Sequence, residues 1–289
     1  MIVELLGLGL HEQSKNSIVP PKIMKHLVLG SLFAVSLLSS SHPSQAAGRD
    51  WDFSNAIPAN GKVVQYDLNG DGRKEKISLI ATGQAKNDKT STYRLKINNV
   101  VLDEVWPTYN YFDGNAKVEG FKIGDLNTRD KSKEIVVFGP DGESRLSRIY
   151  AWSGGKIRRV LRKSIFIERF NGDGSVTELK SNGWSSFRLP HRLNRQGELK
   201  LVQQPYYPLE VYKGSDEGVK PTRILKDVFF YLNPNSKSQK FIVKKGSSIT
   251  FDRADNKGWV GAKINGRIGW VTEEDVNANA DTFQLFRAG

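Results

Sequence analysis

Short runs in which apolar and polar side chains alternate, broken every few residues by glycine and asparagine, restrict this chain more than any other feature. They read Val63–Tyr66, Lys76–Ile80, Tyr93–Ile97, Lys117–Ile123, Glu134–Phe138, Arg148–Trp152, Lys156–Leu161, Ile165–Phe170, Trp184–Leu189 and Glu198–Val202. Period-two alternation marks strands with one wetted face, and helical periodicity is nearly absent. Between the runs stand Asn69-Gly70-Asp71-Gly72, Asp113-Gly114-Asn115, Asp141-Gly142, Ser153-Gly154-Gly155 and Asn171-Gly172-Asp173-Gly174. These residues tolerate the positive φ that tight turns demand. The expected fold is all-β.

Three successive units begin near residues 63, 117 and 165, a period of roughly 50. Repeats of that length and strand content form propeller blades and related arrays, although three are fewer than the four or more blades of a closed ring. Residues 47–205 are therefore expected to be a propeller-like or open β-repeat domain. Pro205-Tyr206-Tyr207-Pro208 and Gly214-Ser215-Asp216-Glu217-Gly218 mark an expected linker over 206–217. Residues 218–289 would then form a separate unit. Its Asn265-Gly266 pair between two β-rich runs is a strong hairpin signal.

The amino end carries a different message. From Met24 the chain has a positive residue, Lys25, then the 12-residue apolar run Leu27–Leu38, then Ser44 and Ala46 at the small positions of a cleavage site. This is the layout of a secretory signal peptide over 1–46, and the apolar run is too short to span a membrane. Met24 is an alternative start, and Met1–Ile23 has no recognisable role. The expected location is secreted or extracytoplasmic, associated with the envelope.

The chain has no cysteine, which excludes disulfide scaffolds, thiol nucleophiles and thiolate zinc sites. Three of its four histidines lie in the expected signal segment, leaving His191 as an isolated surface imidazole. No G-x-S-x-G, supported Ser-x-x-Lys or H-E-x-x-H motif is present. A glycosidase needs two carboxylates, and Asp103 with Glu104 or Asp113 is a pair to consider, but their spacing does not support that role. A non-enzyme is expected, with an exported glycan or peptidoglycan hydrolase built on 47–205 as the alternative. The net charge is +12, and residues 145–200 hold thirteen Lys or Arg against four acids. Such basicity suits anionic envelope polymers or acidic protein partners; nucleic acid is the less expected partner outside the cell.

Two turns concentrate oxygen ligands. Asp67, Asn69, Asp71 and Glu75 stand at alternate or near-alternate positions, and Gly72 permits the bend that lets the Arg73 carbonyl join them. Hard oxygens on a compact loop are what Ca²⁺ requires. An EF-hand is disfavoured, because its twelfth position is Ser78 and the flanks read as strands. A second copy places Asp125, Asn127, Asp130 and Glu134 at wider spacing, with one inserted residue and no bending glycine. A third, degraded copy at Asn171–Gly174 has Arg169 where the first ligand would be.

The D-x-N-x-D-G-x-x-E loop, the I-S-L-I and I-V-V-F strands and the hairpin Ile149–Ile157 together resemble FG-GAP/VCBS-type repeats over about 60–205. That resemblance implies calcium in the loops and a role in adhesion or envelope association. The C-terminal Lys244-Lys245-Gly246 turn, Gly258-Trp259 and Gly266-Arg267-Ile268-Gly269-Trp270-Val271 resemble a bacterial SH3-like (SH3b) domain, which implies a small barrel and peptidoglycan as ligand. The chain departs from that family at Leu232-Asn233-Pro234-Asn235, which lacks the usual arginine. Phe229, Tyr231 and Trp259 are expected to line an aromatic groove, with Lys257 and Arg267 at its rim to take carboxylates. Ile249, Trp270 and Val271 are expected in the core.

Overall fold

A computed structural model describes residues 49–84, 90–107, 117–141, 144–181, 184–210 and 221–283. The expected signal peptide with Met24, the Asp113-Gly114-Asn115 turn, Gly142 and residues 211–217 of the expected linker lie outside those residues.

Two short strands, β1 (Arg49–Asp50) and β2 (Ile57–Pro58), open the described chain. The first unit is the meander β3 (Val64–Tyr66), β4 (Glu75–Gln84), β5 (Thr90–Ile97) and β6 (Val100–Pro107). The second is β7 (Gly120–Gly124), β8 (Glu134–Asp141), β9 (Ser144–Ser153) and β10 (Lys156–Arg159), with β2 added beside β7. The third is β11 (Ile167–Phe170), β12 (Ser175–Ser181), β13 (Ser186–Leu193) and β14 (Leu199–Leu201), with β1 added beside β11.

Next come β15 (Tyr207–Glu210), β16 (Thr222–Arg223), β17 (Val228–Tyr231), β18 (Lys240–Val243), β19 (Ser248–Ala254), β20 (Trp259–Ile264) and β21 (Arg267–Thr272). The six-residue helix α1 (Glu273–Ala278) follows, its first turn capped by the Thr272 hydroxyl, which accepts from the Asp275 N–H at 3.0 Å. Asn265 and Gly266 take φ of 48° and 81° between β20 and β21. Both values are positive, as a two-residue hairpin turn of this kind requires.

The architecture is all-β, in several antiparallel sheets, and among the described residues no sheet closes into a barrel. Strand β15 pairs with β13 on one side and β19 on the other, so one sheet runs from the third unit into the C-terminal region. The first described part of the expected linker is thus a paired strand. No helix among the described residues is long and apolar enough to cross a membrane.

Three apolar cores separate successive layers. Ile77, Leu79, Leu95 and Trp106 of the first unit meet Phe121, Ile135, Val137 and Trp152 of the second. Val136 and Ile149 face the other way and meet Ile167, Phe170, Val176 and Leu199. Because the second sheet is covered on both faces, β8 reads as the continuous run Ile-Val-Val-Phe, whereas β4, wet on one side, leaves Ile80 40% exposed. The third core joins Phe187, Leu189, Tyr207 and Leu209 to Ile249, Phe251, Val260 and Val271. Ile249 and Val271 lie in this core as expected, whereas Trp270, also buried, faces the other side of the sheet.

Candidate functional site

The acidic turns stand side by side. In the first, Asp67 accepts the N–H groups of Gly70 at 2.8 Å and Gly72 at 2.9 Å. Asn69 Oδ1 accepts from the Asp71 N–H and Asp71 Oδ1 from the Arg73 N–H, while the Asn69 amide donates to Asp71 Oδ2 at 3.0 Å. The Arg73 N–H, then the Asn69 amide, hold the Asp71 carboxyl below its ordinary range. Glu75 is buried and accepts the Leu68 N–H at 2.8 Å. The second turn repeats the last bond, Leu126 N–H to Glu134 at 2.9 Å, and the Asn127 amide donates to Asp130 at 2.7 Å.

Neighbouring turns are laced together. The Lys133 N–H donates to Leu68 O at 2.8 Å, the Gly174 N–H to Leu126 O at 2.7 Å, and the Thr128 N–H to Gly172 O at 2.9 Å. The two acidic turns differ in one respect that matters for a cation. Lys133 places its ammonium on Asp125, so the second turn carries a positive charge of its own. The other Asp125 oxygen, Oδ1, is buried without a hydrogen-bond partner among the described residues.

The first turn fits a hard cation in donor chemistry: Asp67, Asn69, Asp71 and Glu75 offer oxygens and Arg73 its carbonyl, and a carboxylate oxygen that accepts one N–H keeps a lone pair. Among the described residues no three Asp, Glu or His side chains gather as a ready-made metal cage. A cation there would have to draw the turn together.

The C-terminal sheet brings some of the expected groove residues together and separates others. The Tyr231 and Trp259 rings meet edge to face, centroids 5.1 Å apart. Phe229 shares the face of Tyr231, stands opposite Ile242 and is 57% exposed. Lys257 lies in the β19–β20 turn, where its N–H and that of Trp259 both donate to Asp255. Arg267 departs from the expectation. It pairs with the inward-facing Ile264 and lies over Phe241, 3.9 Å from the ring centroid, on the opposite side of the sheet from Tyr231.

Two other cations take the place expected for Arg267. Lys240, cross-strand neighbour of Tyr231, sits 4.6 Å from that ring's centroid. Arg253 lies 4.5 Å from the Tyr206 centroid and is held by a two-pronged bond to Asp252. Register aligns these groups in one row, Arg253 opposite Gly261, Gly261 opposite Trp270, Trp270 opposite Tyr231 and Tyr231 opposite Lys240. Gly261 keeps the row flat, since a Cβ there would lie 2.6 Å from Arg253 Cγ. Strand alternation could have placed Lys240 and Tyr231 on one face, but only the pairing register makes them neighbours.

Charge elsewhere is largely internal. Of the thirteen cations in 145–200, Arg145, Arg148, Arg159, Arg162, Lys163, Arg188, Arg192 and Lys200 form ion pairs. Their partners include Glu104 of β6 and Glu119 just ahead of β7, so this basic third is less of an open cationic surface than its composition suggests. At the first interlayer core Arg148 donates to Val105 O at 2.6 Å and, with Arg159, holds Glu104. The Tyr93 and Tyr150 hydroxyls bond each other there, and burial raises both phenols.

His191 is not a surface residue: it is 2% exposed, and its Nε2 lies 2.6 Å from Glu178 inside the third unit. Glu178 also holds the Lys163 ammonium, 3.3 Å from its Oε1. Asp103 and Glu104, being adjacent in a strand, face opposite sides of β6 and are held by different arginines, Arg94 for the first. They cannot flank one glycosidic bond. Comparison of the chain with protein-family models, curated proteins and solved structures finds no match.

Proposed function

We propose that this is an exported, non-catalytic binding protein of the cell envelope, which holds peptidoglycan or another anionic polymer on the outer face of its C-terminal sheet. The observation that carries the reading is the alignment of Arg253, Tyr231 and Lys240 along one row, backed by the buried Trp270 and with Trp259 against Tyr231. Aromatic rings offer flat contact to sugar faces, and guanidinium and ammonium groups pair with carboxylates of a polymer. The layout of 1–46 supports export. The layered meanders support an open FG-GAP/VCBS-like array, and the hairpins of 228–272 an SH3-like module. Calcium is proposed at the Asp67 turn only, because Lys133 already serves the second.

The test is sedimentation of the protein with purified cell wall. Wild type should pellet with the wall, Trp259→Ala should weaken retention about tenfold, a loss of about 1.4 kcal/mol, and no sugar or peptide should be released. Soluble fragments would replace this reading with the hydrolase alternative. Unchanged retention in Trp259→Ala and Tyr231→Ala would remove the face from consideration.

A further inference from the structure

Between the second and third turns lies a cavity of about 350 Å³ lined by Asn127, Arg129, Asp173, Gly174, Arg192 and Leu193. Its walls are held by backbone: Asn127 and Asp173 form an isolated bridge, and the Thr128 and Gly174 N–H groups cross between the turns. The cavity is built by tandem packing and belongs to neither turn alone.

Its electrostatics favour an anion. Arg192 donates to Asp173 Oδ2 at 2.9 Å, and the Ser175 hydroxyl donates to Asp173 Oδ1. Both carboxylate oxygens are thus engaged. The Ser175 hydroxyl first, and Arg192 after it, hold this acid below its ordinary range against the opposing effect of burial, so it stays ionised and anchors the guanidinium. Arg129 forms no ion pair among the described residues; its own backbone N–H goes to Asn127 Oδ1 at 3.3 Å. Two guanidinium groups and one carboxylate leave the lining with a net positive charge. Asn127 is uncharged, and its amide donates to Asp130 at 2.7 Å.

We infer that this cavity is a binding site for a phosphate group, with Arg129 and Arg192 as the donors. Guanidinium is planar and presents several N–H groups at once, the geometry that phosphate oxygens take in pairs. The volume is at the lower end of small-molecule pockets, about 300–1,000 Å³, which leaves room for a small organic group beyond the phosphate. Leu193 supplies the one apolar side chain of the wall. This site is separate from the C-terminal face and does not depend on the envelope-polymer reading.

The experiment is calorimetric titration of the full protein with inorganic phosphate, glycerol phosphate and, as a carboxylate, acetate. Glycerol phosphate should bind in the millimolar range or tighter, and Arg129→Ala should weaken it at least tenfold while leaving the ligand-free melting midpoint unchanged, since Arg129 is exposed and makes no ion pair among the described residues. Arg192→Lys, which keeps the charge beside Asp173 but loses the fork, should weaken it too. Tighter binding of glycerol phosphate than of inorganic phosphate would identify a phosphate carried on an organic group; equal binding would identify the free ion. Equal affinity in wild type and Arg129→Ala, acetate binding as well as the phosphates, or no heat from either phosphate would overturn the site.

Discussion

Gly70 sets how closely two turns can approach. It has φ +70°, and a Cβ there would stand 2.1 Å from Lys131 Cβ and 3.0 Å from its carbonyl oxygen. Gly72 has φ +85° with open space around it. Both alanine variants bear the left-handed backbone penalty of about 1–2 kcal/mol, but only Gly70→Ala must also push the second turn away. Urea unfolding should show Gly70→Ala to be clearly the more damaging, by a further ~1–2 kcal/mol; equal losses would mean that the turns are not in contact.

Glu134 makes a pH-dependent contribution. Burial pushes it up to about 7; the Leu126 N–H opposes this, the Asp130 and Asp125 carboxylates add to it, and Lys133 opposes it. The folded chain therefore holds this proton more tightly than the unfolded chain, where a Glu titrates near ~4.3. The sign follows: stability is greatest below about pH 4, falls as pH rises toward 7, and levels off above, with a span on the order of 3 kcal/mol. In chelator-containing buffer Glu134→Gln should flatten that slope relative to wild type. Parallel pH profiles for the two would count against it.

At the level of elements, the Asp67 turn should respond to calcium. Binding to the folded state alone stabilises by about 2.7 kcal/mol at a hundredfold excess over Kd, so millimolar calcium should raise the melting midpoint over chelator, and Asp71→Ala should abolish the difference. No difference in wild type would make the turn an ordinary one held by its own Asx bonds. All ten alternating runs contain strand or border it, because one wetted face leaves a period-two trace in the sequence. Strands β6, β12 and β15 were not legible. The first lies directly behind the Asn98 turn, the second alternates in polar residues such as Thr177, Glu178 and Lys180, and the third is the Tyr-Pro stretch that reads as a linker. The candidate site was half legible. Tyr231 and Trp259 announce themselves as aromatics, but Lys240 and Arg253 join them only through cross-strand register, and Arg267 leaves because one position along a strand reverses the face.

Across the whole molecule, Phe187 and Leu189 of the third unit share a core with Ile249 and Val271, so the C-terminal region covers apolar surface that the repeat region would otherwise expose. Burial thus follows the order of layers along the chain, first unit on second, second on third, third on C-terminal region. Such a stack behaves as a one-dimensional lattice whose sites feel only their nearest neighbours, and its ends are weaker than its middle. Among the described residues the first unit has a single neighbouring layer and an outer face that exposes Ile80, Val101 and Val105. Fraying should begin there. Hydrogen exchange read by mass spectrometry should show amides of β4 and β5 opening before those of β8 and β9, and simultaneous exchange would describe one indivisible body. A lattice with such an end accommodates a local loosening of its terminal layer while the turns and sheets farther along keep their spacing.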